Sequence, residues 1–299
     1  MKLTINLKDH AYDILIRQNS LAQCGQWVRE LWQPKKIAII TDSNVRPLYA
    51  RIVASSLEKA GFTCLVLEIA AGEASKSLEK ANILYQKLAA ENFSRSDGII
   101  ALGGGVIGDL AGFVASTYMR GIPFLQIPTS LLAQVDSSIG GKTAVNTPWA
   151  KNLIGSFYQP EGVLIDTTVL STLSPRRLRE GTAEIIKSAA IGDRKLWELL
   201  DTLPDETALL QRAEEVIIPT LKVKRKVVEE DEFDQGNRLI LNFGHTIGHA
   251  IEKTAGYGVV SHGEGVAIGM IQITKAAEKM QETPAGIMTV LQRMLEKFN

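Results

Sequence analysis

The chain has 299 residues, of which 45% are hydrophobic, enough to build a sizeable core in two domains or in one large α/β unit. Its 33 basic and 33 acidic residues cancel, so the charge gives no argument for a nucleic-acid partner or for binding to an anionic membrane. Two cysteines are too few for a disulfide scaffold, and the N-terminus lacks the apolar core of a signal peptide, so we predict a cytoplasmic protein.

The first half of the chain alternates short apolar strands with helices. An alternating N-terminal segment, 1–7, predicts a strand, and further strands and helices follow in order: strand Ile37–Thr41, helix Pro47–Gly61, strand Cys64–Glu68, helix Ser77–Phe93 and strand Gly98–Leu102. This alternation predicts a Rossmann-like parallel sheet with helices on both faces. The apolar stretch 99–118 is interrupted by glycines and by Asp109, so it does not predict a membrane span.

A glycine-rich turn follows the strand at Gly98–Leu102. The residues Gly103-Gly-Gly-Val-Ile-Gly108-Asp109 contain Gly-x-Gly-x-x-Gly and are predicted to open a helix, where backbone N–H groups can bind a phosphate. The motif alone is weak evidence, because no acid follows about twenty residues later to bind a ribose. Asp42 or Glu73 can take that role, or both can be ordinary polar loop residues.

A polar, glycine-containing segment lies between residues 126 and 146. It contains Thr129, Ser130, Asp136 and Lys142, and Lys151-Asn152 comes soon after. This density of polar side chains is unusual for a core and is typical of a binding loop, although a solvated loop has the same composition.

The second half of the chain has helical periodicity from Ser174 onward, with Pro204 and Pro219 as predicted helix boundaries. We therefore predict an α/β plus all-α protein with two domains, a nucleotide-binding domain at residues 1–170 and an α-helical domain at residues 171–299. No internal repeat or low-complexity tract is evident.

Three of the four histidines fall within one 18-residue window, at His245, His249 and His262. On a helix, a separation of four residues puts His245 and His249 on one face, and the glycine-rich segment 255–258 is the predicted turn that brings His262 back. Single histidines are often satisfied core residues, but this clustering favours a metal or proton-transfer site.

The histidine pair resembles that of zinc peptidases, yet the glutamate that serves those enzymes as general base is replaced by Thr246. A metal here needs a carboxylate from elsewhere. Glu184, which stands three residues before Lys187 on a predicted helix, would complete a set of two histidines and one carboxylate, although such a spacing is also that of a surface ion pair.

Seven motifs in order resemble those of 3-dehydroquinate synthase, a sugar phosphate cyclase. They lie at 103–109, 117–121, 136–142, 151–160, 183–187, 241–252 and 262–264. The resemblance implies a Rossmann-like NAD domain, a helical metal domain and conversion of 3-deoxy-D-arabino-heptulosonate 7-phosphate to 3-dehydroquinate and phosphate in the shikimate pathway of aromatic amino acid biosynthesis. It also implies a homodimer that uses NAD and Zn²⁺, with Co²⁺ as an alternative metal.

The family's reaction is a cycle in which NAD⁺ oxidises a ring hydroxyl, phosphate leaves and the NADH formed reduces the carbonyl again. The class is a phosphate-eliminating carbon–oxygen lyase. The metal would act as a Lewis acid on the substrate hydroxyls.

The resemblance also assigns roles to individual residues. The implied metal ligands are Glu184, His245 and His262. The implied NAD-binding residues are Asp42, Gly72, Glu73, Lys76, Gly105, Val106, Ile107, Gly108, Asp109, Thr129, Ser130, Lys142, Lys151 and Thr172.

The implied catalytic and substrate-binding residues are His249 for proton transfer; Lys142, Lys224 and Arg238 for the carboxylate; Asn152, Lys187 and Asn242, with His249, for the phosphate; Asp136 for the hydroxyls; and Arg120 reaching in from the partner subunit.

Two departures from the family pattern affect these expectations. Arg177 replaces a usual glutamate, which we expect to alter NAD affinity. The family also carries a later Asp-Lys-Lys segment that contacts the substrate phosphate and that these 299 residues do not include. Loss of such a contact would weaken transition-state binding by roughly 2–4 kcal/mol.

Two other activities stay open from the sequence. One is a sister sugar phosphate cyclase acting on a substrate without a carboxylate, against which Lys142, Lys224 and Arg238 argue. The other is a metal-dependent polyol dehydrogenase of the glycerol dehydrogenase type, which has a similar glycine-rich turn and a similar two-domain plan.

Overall fold

A computed structural model of the chain describes residues 1–33, 35–256 and 259–298. The chain divides into two compact units, Met1–Val169 and Leu170–Asn299, and the predicted division after residue 170 lies beside this boundary. In the described part of the chain, no helix is both long enough and apolar enough to cross a membrane.

The first unit is built on a largely parallel sheet. Its strands are β1 (Lys2–Asn6), β2 (Ala11–Ile16), β3 (Lys36–Asp42), β4 (Thr63–Ile69), β5 (Gly98–Gly103), β6 (Phe124–Pro128), β7 (Lys142–Val145), β8 (Ile154–Phe157) and β9 (Gly162–Ile165). Seven of them form one sheet in the order β1-β2-β9-β6-β5-β3-β4, in which only the β1–β2 pair is antiparallel. The remaining two, β7 and β8, form a separate antiparallel hairpin.

Helices cover both faces of this sheet, as predicted. They are α1 (Cys24–Leu31), α2 (Arg51–Lys59), α3 (Leu78–Ala90) and α4 (Gly105–Thr117). Successive strand residues point to opposite faces. Ala38 and Ile40 of β3 therefore pack in one core with α3 and α4, while Ile37 and Ile39 pack in the other with α1 and α2.

Most predicted elements of this unit are confirmed with small changes of boundary. Strands β3, β4 and β5 contain the predicted segments, and Ser77 caps α3 by accepting a hydrogen bond from the backbone N–H of Lys80 (3.3 Å). The predicted helix Pro47–Gly61 instead begins as a π-helical turn, Arg46–Ala50, and continues as α2.

The hairpin of β7 and β8 corrects the interpretation of residues 126–146 as loop. Each strand has only four residues and pairs only with the other among the described strands. The short polar-apolar alternation at Lys142–Val145 was therefore too brief to be distinguished from a loop.

The second unit is helical, as predicted. Its helices are α5 (Pro175–Gly192), α6 (Arg194–Thr202), α7 (Glu206–Gln211), α8 (Ala213–Glu230), α9 (His245–Ala255), α10 (His262–Lys279) and α11 (Ile287–Lys297). Pro204 separates α6 from α7, but the predicted boundary at Pro219 is wrong, because this proline lies inside α8. The buried neighbours Val216, Ile217 and Leu221 favour a continuous helix despite the missing N–H donor.

Helices α9 and α10 touch through their backbones. A β-carbon added to Gly248 would lie 2.8 Å from the carbonyl carbon of Gly265, and one added to Gly269 would lie 1.9 Å from the carbonyl oxygen of Gly244. These distances are too short for any side chain. Glycine is therefore required where the two helices that carry the histidines cross.

Candidate active-site residues

The three clustered histidines lie together in the second unit. His245 is the first residue of α9, His249 lies one turn later, and His262 is the first residue of α10. Their ring centroids are 5.4 Å (His245–His249), 5.1 Å (His245–His262) and 5.7 Å (His249–His262) apart. The helix predicted to put His245 and His249 on one face is confirmed. Part of the predicted turn at 255–258 lies outside the described residues.

Glu184 of α5 faces two of these rings. Its Oε1 lies 3.6 Å from Nε2 of His245 and 3.6 Å from Nε2 of His262, and its side chain is 2% exposed. Two ligands at zinc bond lengths and a tetrahedral angle are about 3.4 Å apart, so both separations suit donor atoms that share one metal ion. Among the described residues, these three form one of two groups able to hold a metal; the other is His249, Glu252 and His262.

Both imidazoles are oriented through Nδ1. The Nδ1 atom of His262 lies 3.0 Å from Glu252 Oε1, and that of His245 lies 3.3 Å from the carbonyl oxygen of Phe243. An N–H donated from Nδ1 leaves the lone pair of the ring on Nε2, the atom nearest Glu184. Two oriented imidazoles and one carboxylate fit Zn²⁺ or Co²⁺.

The charges around Glu184 are partly balanced by the protein itself. Lys187 forms a direct ion pair with Glu184 Oε2, and both side chains are buried. Burial is the largest effect on His262 and lowers its pKa, but the hydrogen bonds that the ring donates to the Glu184 and Glu252 carboxylates, with their negative charges, together outweigh it and raise the pKa to about 9.

The other predicted substrate residues of this unit differ in exposure. Lys224 of α8 is buried, and so is Arg238, whose Nη1 donates to the carbonyl oxygen of Glu232 (2.5 Å). Asn242 and His249 are exposed. The segment of Arg238 is held by Asp231, whose carboxylate accepts backbone N–H groups from Gln235, Gly236 and Arg238.

In the first unit, the predicted nucleotide residues flank a reversal of strand order. Strand β3 has β4 on one side and β5 on the other, and ligands of such sheets bind at the carboxyl ends of the strands at this point. Asp42 ends β3, and the glycine-rich turn follows β5. The Oδ1 of Asp42 accepts hydrogen bonds from the backbone N–H groups of Asn44 and Val45.

The glycine-rich turn begins α4, as predicted, with Gly105 as the first helical residue. The backbone N–H of Thr129 donates to the carbonyl oxygen of Gly103 (2.9 Å), and a β-carbon on Gly104 would lie 3.3 Å from Ser130 Oγ. Thr129 and Ser130 therefore lie beside the turn. The side chain of Ile107 is in the core, which leaves its backbone for any ligand.

Four predicted NAD residues form one polar cluster in this unit. The Lys76 ammonium bonds Asp109 Oδ2 at 2.5 Å, and Lys76 and Lys151 each lie 3.9 Å from Glu73 Oε1. Burial raises the pKa of Asp109, and the positive charge of Lys76 opposes that rise.

Asn146 links this cluster to a predicted substrate residue. Its Nδ2 donates to Glu73 Oε1 (2.8 Å), and its Oδ1 accepts the backbone N–H of Asn152 (2.9 Å). The sequence predicts no role for Asn146, and only its position at the end of the polar segment could have indicated one.

The remaining predicted residues lie in turns or at the ends of elements. Gly72 has φ +111° and precedes the short helix that begins at Glu73. Asp136 lies in a π-helical turn, Ala133–Ser137, and Lys142 begins β7 and is exposed. Arg120 has φ +68° and is exposed, and Thr172 ends the 3₁₀ helix Thr167–Thr172.

Two models of one family match the chain. The model described as 3-dehydroquinate synthase N-terminal matches residues 66–180, and the C-terminal model matches residues 181–299. A curated relative from Enterococcus faecalis (strain ATCC 47077 / OG1RF), named 3-dehydroquinate synthase, is 62% identical over the whole chain and over 84% of its own length. The chain belongs to the 3-dehydroquinate synthase family.

Solved structures of sugar phosphate cyclases are also similar. A 2-deoxy-scyllo-inosose synthase complexed with carbaglucose-6-phosphate, NAD⁺ and Co²⁺ is 30% identical, with a TM-score of 0.93 over 100% of this chain and 82% of its own. The 2-epi-5-epi-valiolone synthase of Streptomyces hygroscopicus, with NAD⁺ and Zn²⁺ bound, is 29% identical, with a TM-score of 0.87 over 97% of this chain and 82% of its own.

The polyol dehydrogenase alternative shares only the fold. Glycerol dehydrogenase from Schizosaccharomyces pombe is 20% identical, with a TM-score of 0.66 over 95% of this chain and 74% of its own. Membership of the 3-dehydroquinate synthase family therefore does not favour that alternative.

One buried residue beside the metal ligands escaped the sequence analysis. Glu252 follows His249 by three residues on α9, is 3% exposed and contacts the ring of His262. The sequence signal that could have identified Glu252 was its spacing from His249, since residues three apart share a helix face.

The departure from the family pattern at Arg177 lies on α5, where this exposed side chain pairs with Glu180 (2.8 Å).

Proposed function

We propose that this chain converts 3-deoxy-D-arabino-heptulosonate 7-phosphate to 3-dehydroquinate and phosphate, as a phosphate-eliminating lyase that uses NAD and Zn²⁺ or Co²⁺. The observation that carries the proposal is the triad of Glu184, His245 and His262 with Nε2–Oε1 separations of 3.6 Å, in a chain that both family models match.

Glu184, His245 and His262 would hold the metal, which when bound supplies Lewis acidity toward substrate hydroxyls. Lys187 would hold the Glu184 carboxylate in place through its ion pair. His249 would exchange protons with the substrate through its imidazole, because a metal-bound imidazole has given up its lone pair and cannot do so. The exposure of His249 supports this division of roles.

NAD would bind at the strand reversal of the first unit, where it supplies transient oxidation of a substrate hydroxyl. The backbone N–H groups of residues 105–107, in the first turn of α4, would bind its pyrophosphate, with Gly108 and Asp109 beside it. The proposed contacts also include Asp42, Gly72, Glu73, Lys76, Thr129, Ser130, Lys142, Lys151 and Thr172.

The substrate is an anion at both ends, which cationic side chains would match. Lys142, Lys224 and Arg238 would bind its carboxylate, and Lys187, Asn152, Asn242 and His249 its phosphate, while Asp136 would bind its hydroxyls. Arg120 would come from the partner subunit of a homodimer. The proposed compartment is the cytoplasm, in keeping with Cys24 and Cys64, neither of which forms a disulfide.

The test is to incubate the purified, Zn²⁺-loaded protein with NAD⁺ and the heptulosonate phosphate, and to measure phosphate and 3-dehydroquinate together. We expect equal amounts of both products, activity reduced strongly in Glu184→Gln and His249→Ala, and parental activity in Lys222→Met, which alters an exposed residue of α8.

Two outcomes would favour the alternatives. Turnover of a seven-carbon sugar phosphate without a carboxylate, in preference to the heptulosonate, would indicate a sister cyclase. Net accumulation of NADH with glycerol would indicate a polyol dehydrogenase, because the cyclase reaction regenerates NAD⁺ in each turnover.

A further inference from the structure

We infer that Glu252 is the positioning residue of the metal site: its carboxylate accepts the Nδ1–H of His262 and thereby directs the Nε2 lone pair of that ring toward the metal. The inference rests on the metal site proposed above. Glu252 itself does not enter the coordination sphere.

The two contacts of the His262 ring separate these roles. Its Nδ1 is 3.0 Å from Glu252 Oε1, which is a hydrogen-bond distance, whereas its Nε2 is 3.6 Å from Glu184 Oε1, which suits two ligands of one ion. The two nitrogens of an imidazole point in different directions. A ring that donates to Glu252 from Nδ1 therefore presents Nε2 on the side of Glu184.

Burial of Glu252 favours one orientation of the His262 ring. Glu252 is 3% exposed and lies on α9, the helix that also carries His245 and His249. A buried carboxylate requires a donor, and the imidazole supplies one. A flip of the His262 ring would place a C–H group against the carboxylate, and the other tautomer would place a lone pair there; the low-dielectric surroundings disfavour both.

The competing arrangement is the second possible metal group, His249, Glu252 and His262. There Glu252 would be a ligand and Glu184 would not. The two arrangements share His262 but give opposite rankings for substitutions of the two glutamates, so metal affinity distinguishes them.

The experiment measures Zn²⁺ affinity of the full chain by competition with a chromophoric chelator. We expect Glu252→Ala to bind Zn²⁺ about 10- to 100-fold more weakly than the parent, and Glu252→Gln to lose less, because the amide oxygen still accepts the Nδ1–H. Glu184→Gln should lose more than either. Glu264→Gln is the matched control with parental affinity, since Glu264 caps α10 and pairs with Arg176.

A second readout observes the His262 ring directly. In the ¹⁵N-histidine-labelled, Zn²⁺-loaded parent, two-bond ¹H–¹⁵N spectra should show His262 protonated at Nδ1 and metal-bound at Nε2. Glu252→Ala should broaden or shift that Nδ1 resonance, while the far-ultraviolet circular dichroism of the variant reports whether it is folded.

Parental Zn²⁺ affinity in folded Glu252→Ala would overturn the inference, and so would a His262 ring bound to Zn²⁺ through Nδ1. If Glu252→Ala abolished binding while Glu184→Gln kept it, the second group would be the site, and the proposed ligand set would fail with the inference. If Glu184→Gln alone lost the metal, only the role of Glu252 would be wrong.

Discussion

Lys187→Met tests whether the buried ion pair with Glu184 depends on the metal. Both side chains are 2% exposed, so solvent screening is small. Removing one partner of a buried ion pair leaves an uncompensated charge and costs about 3–5 kcal/mol. In the metal-free protein we therefore expect a loss of that size in the free energy of unfolding. A divalent ion on Glu184 supplies the missing positive charge, so the loss should shrink when Zn²⁺ is bound.

The assay is urea unfolding of parent and variant, once with a chelator and once with excess Zn²⁺, followed by circular dichroism. Methionine matches the lysine stem in volume, which limits packing effects. Lys222→Met provides the control, because it removes an exposed lysine of α8 and should change stability by less than about 0.5 kcal/mol in both conditions.

The proposed coupling of Lys187 to the metal would be refuted if Lys187→Met cost the same unfolding free energy with and without Zn²⁺, since the metal would then not neutralise Glu184. A cost below about 1 kcal/mol without metal would equally contradict it, because exposed pairs have that magnitude.

Three further predictions concern residues that hold loops and helices in place. Asp166→Ala removes a buried carboxylate that accepts the backbone N–H groups of residues 19–21 and of Thr168, and should lower the unfolding free energy by about 3 kcal/mol in denaturant titrations. Gly248→Ala should force α9 and α10 apart, lowering both the melting temperature and the Zn²⁺ affinity measured by chelator competition; parental values would show that the helices can shift at no cost. Asp231 has its pKa lowered from 3.8, chiefly by the backbone hydrogen bond from Gln235, so its contribution to stability is present above pH 3.8 and disappears as pH falls below it. Asp231→Ala should therefore melt earlier than the parent at neutral pH, and the gap in melting temperature should close under acid conditions.

The sheet was predictable because its central strands are apolar on both faces, as the runs at β3 and β5 are, and because glycine marks the start of α4. The hairpin of β7 and β8 was not, because four-residue strands carry too little periodicity. Pro219 was misinterpreted because buried neighbours override the intrinsic preference of proline.

The proposed metal ligands were predictable from the clustering of the histidines together with one glutamate on a predicted helix. Glu252 was not singled out, because a glutamate near the end of an amphipathic helix has the same local pattern whether it faces solvent or a buried imidazole. Only the return of the chain at α10 brings His262 to it.

The backbone contact between α9 and α10 means that the spacing of the metal ligands is set by glycines, which themselves contribute little apolar burial energy. Gly244, Gly248, Gly265 and Gly269 set how far apart the helices carrying His245 and His262 lie, whereas the buried apolar side chains of α10, Val266 and Met270, contribute burial energy. We therefore expect the core around α10 to accept apolar exchanges that raise or lower the melting temperature while the separation of the imidazoles stays constant. Apolar substitutions in that core would therefore leave the metal affinity unchanged.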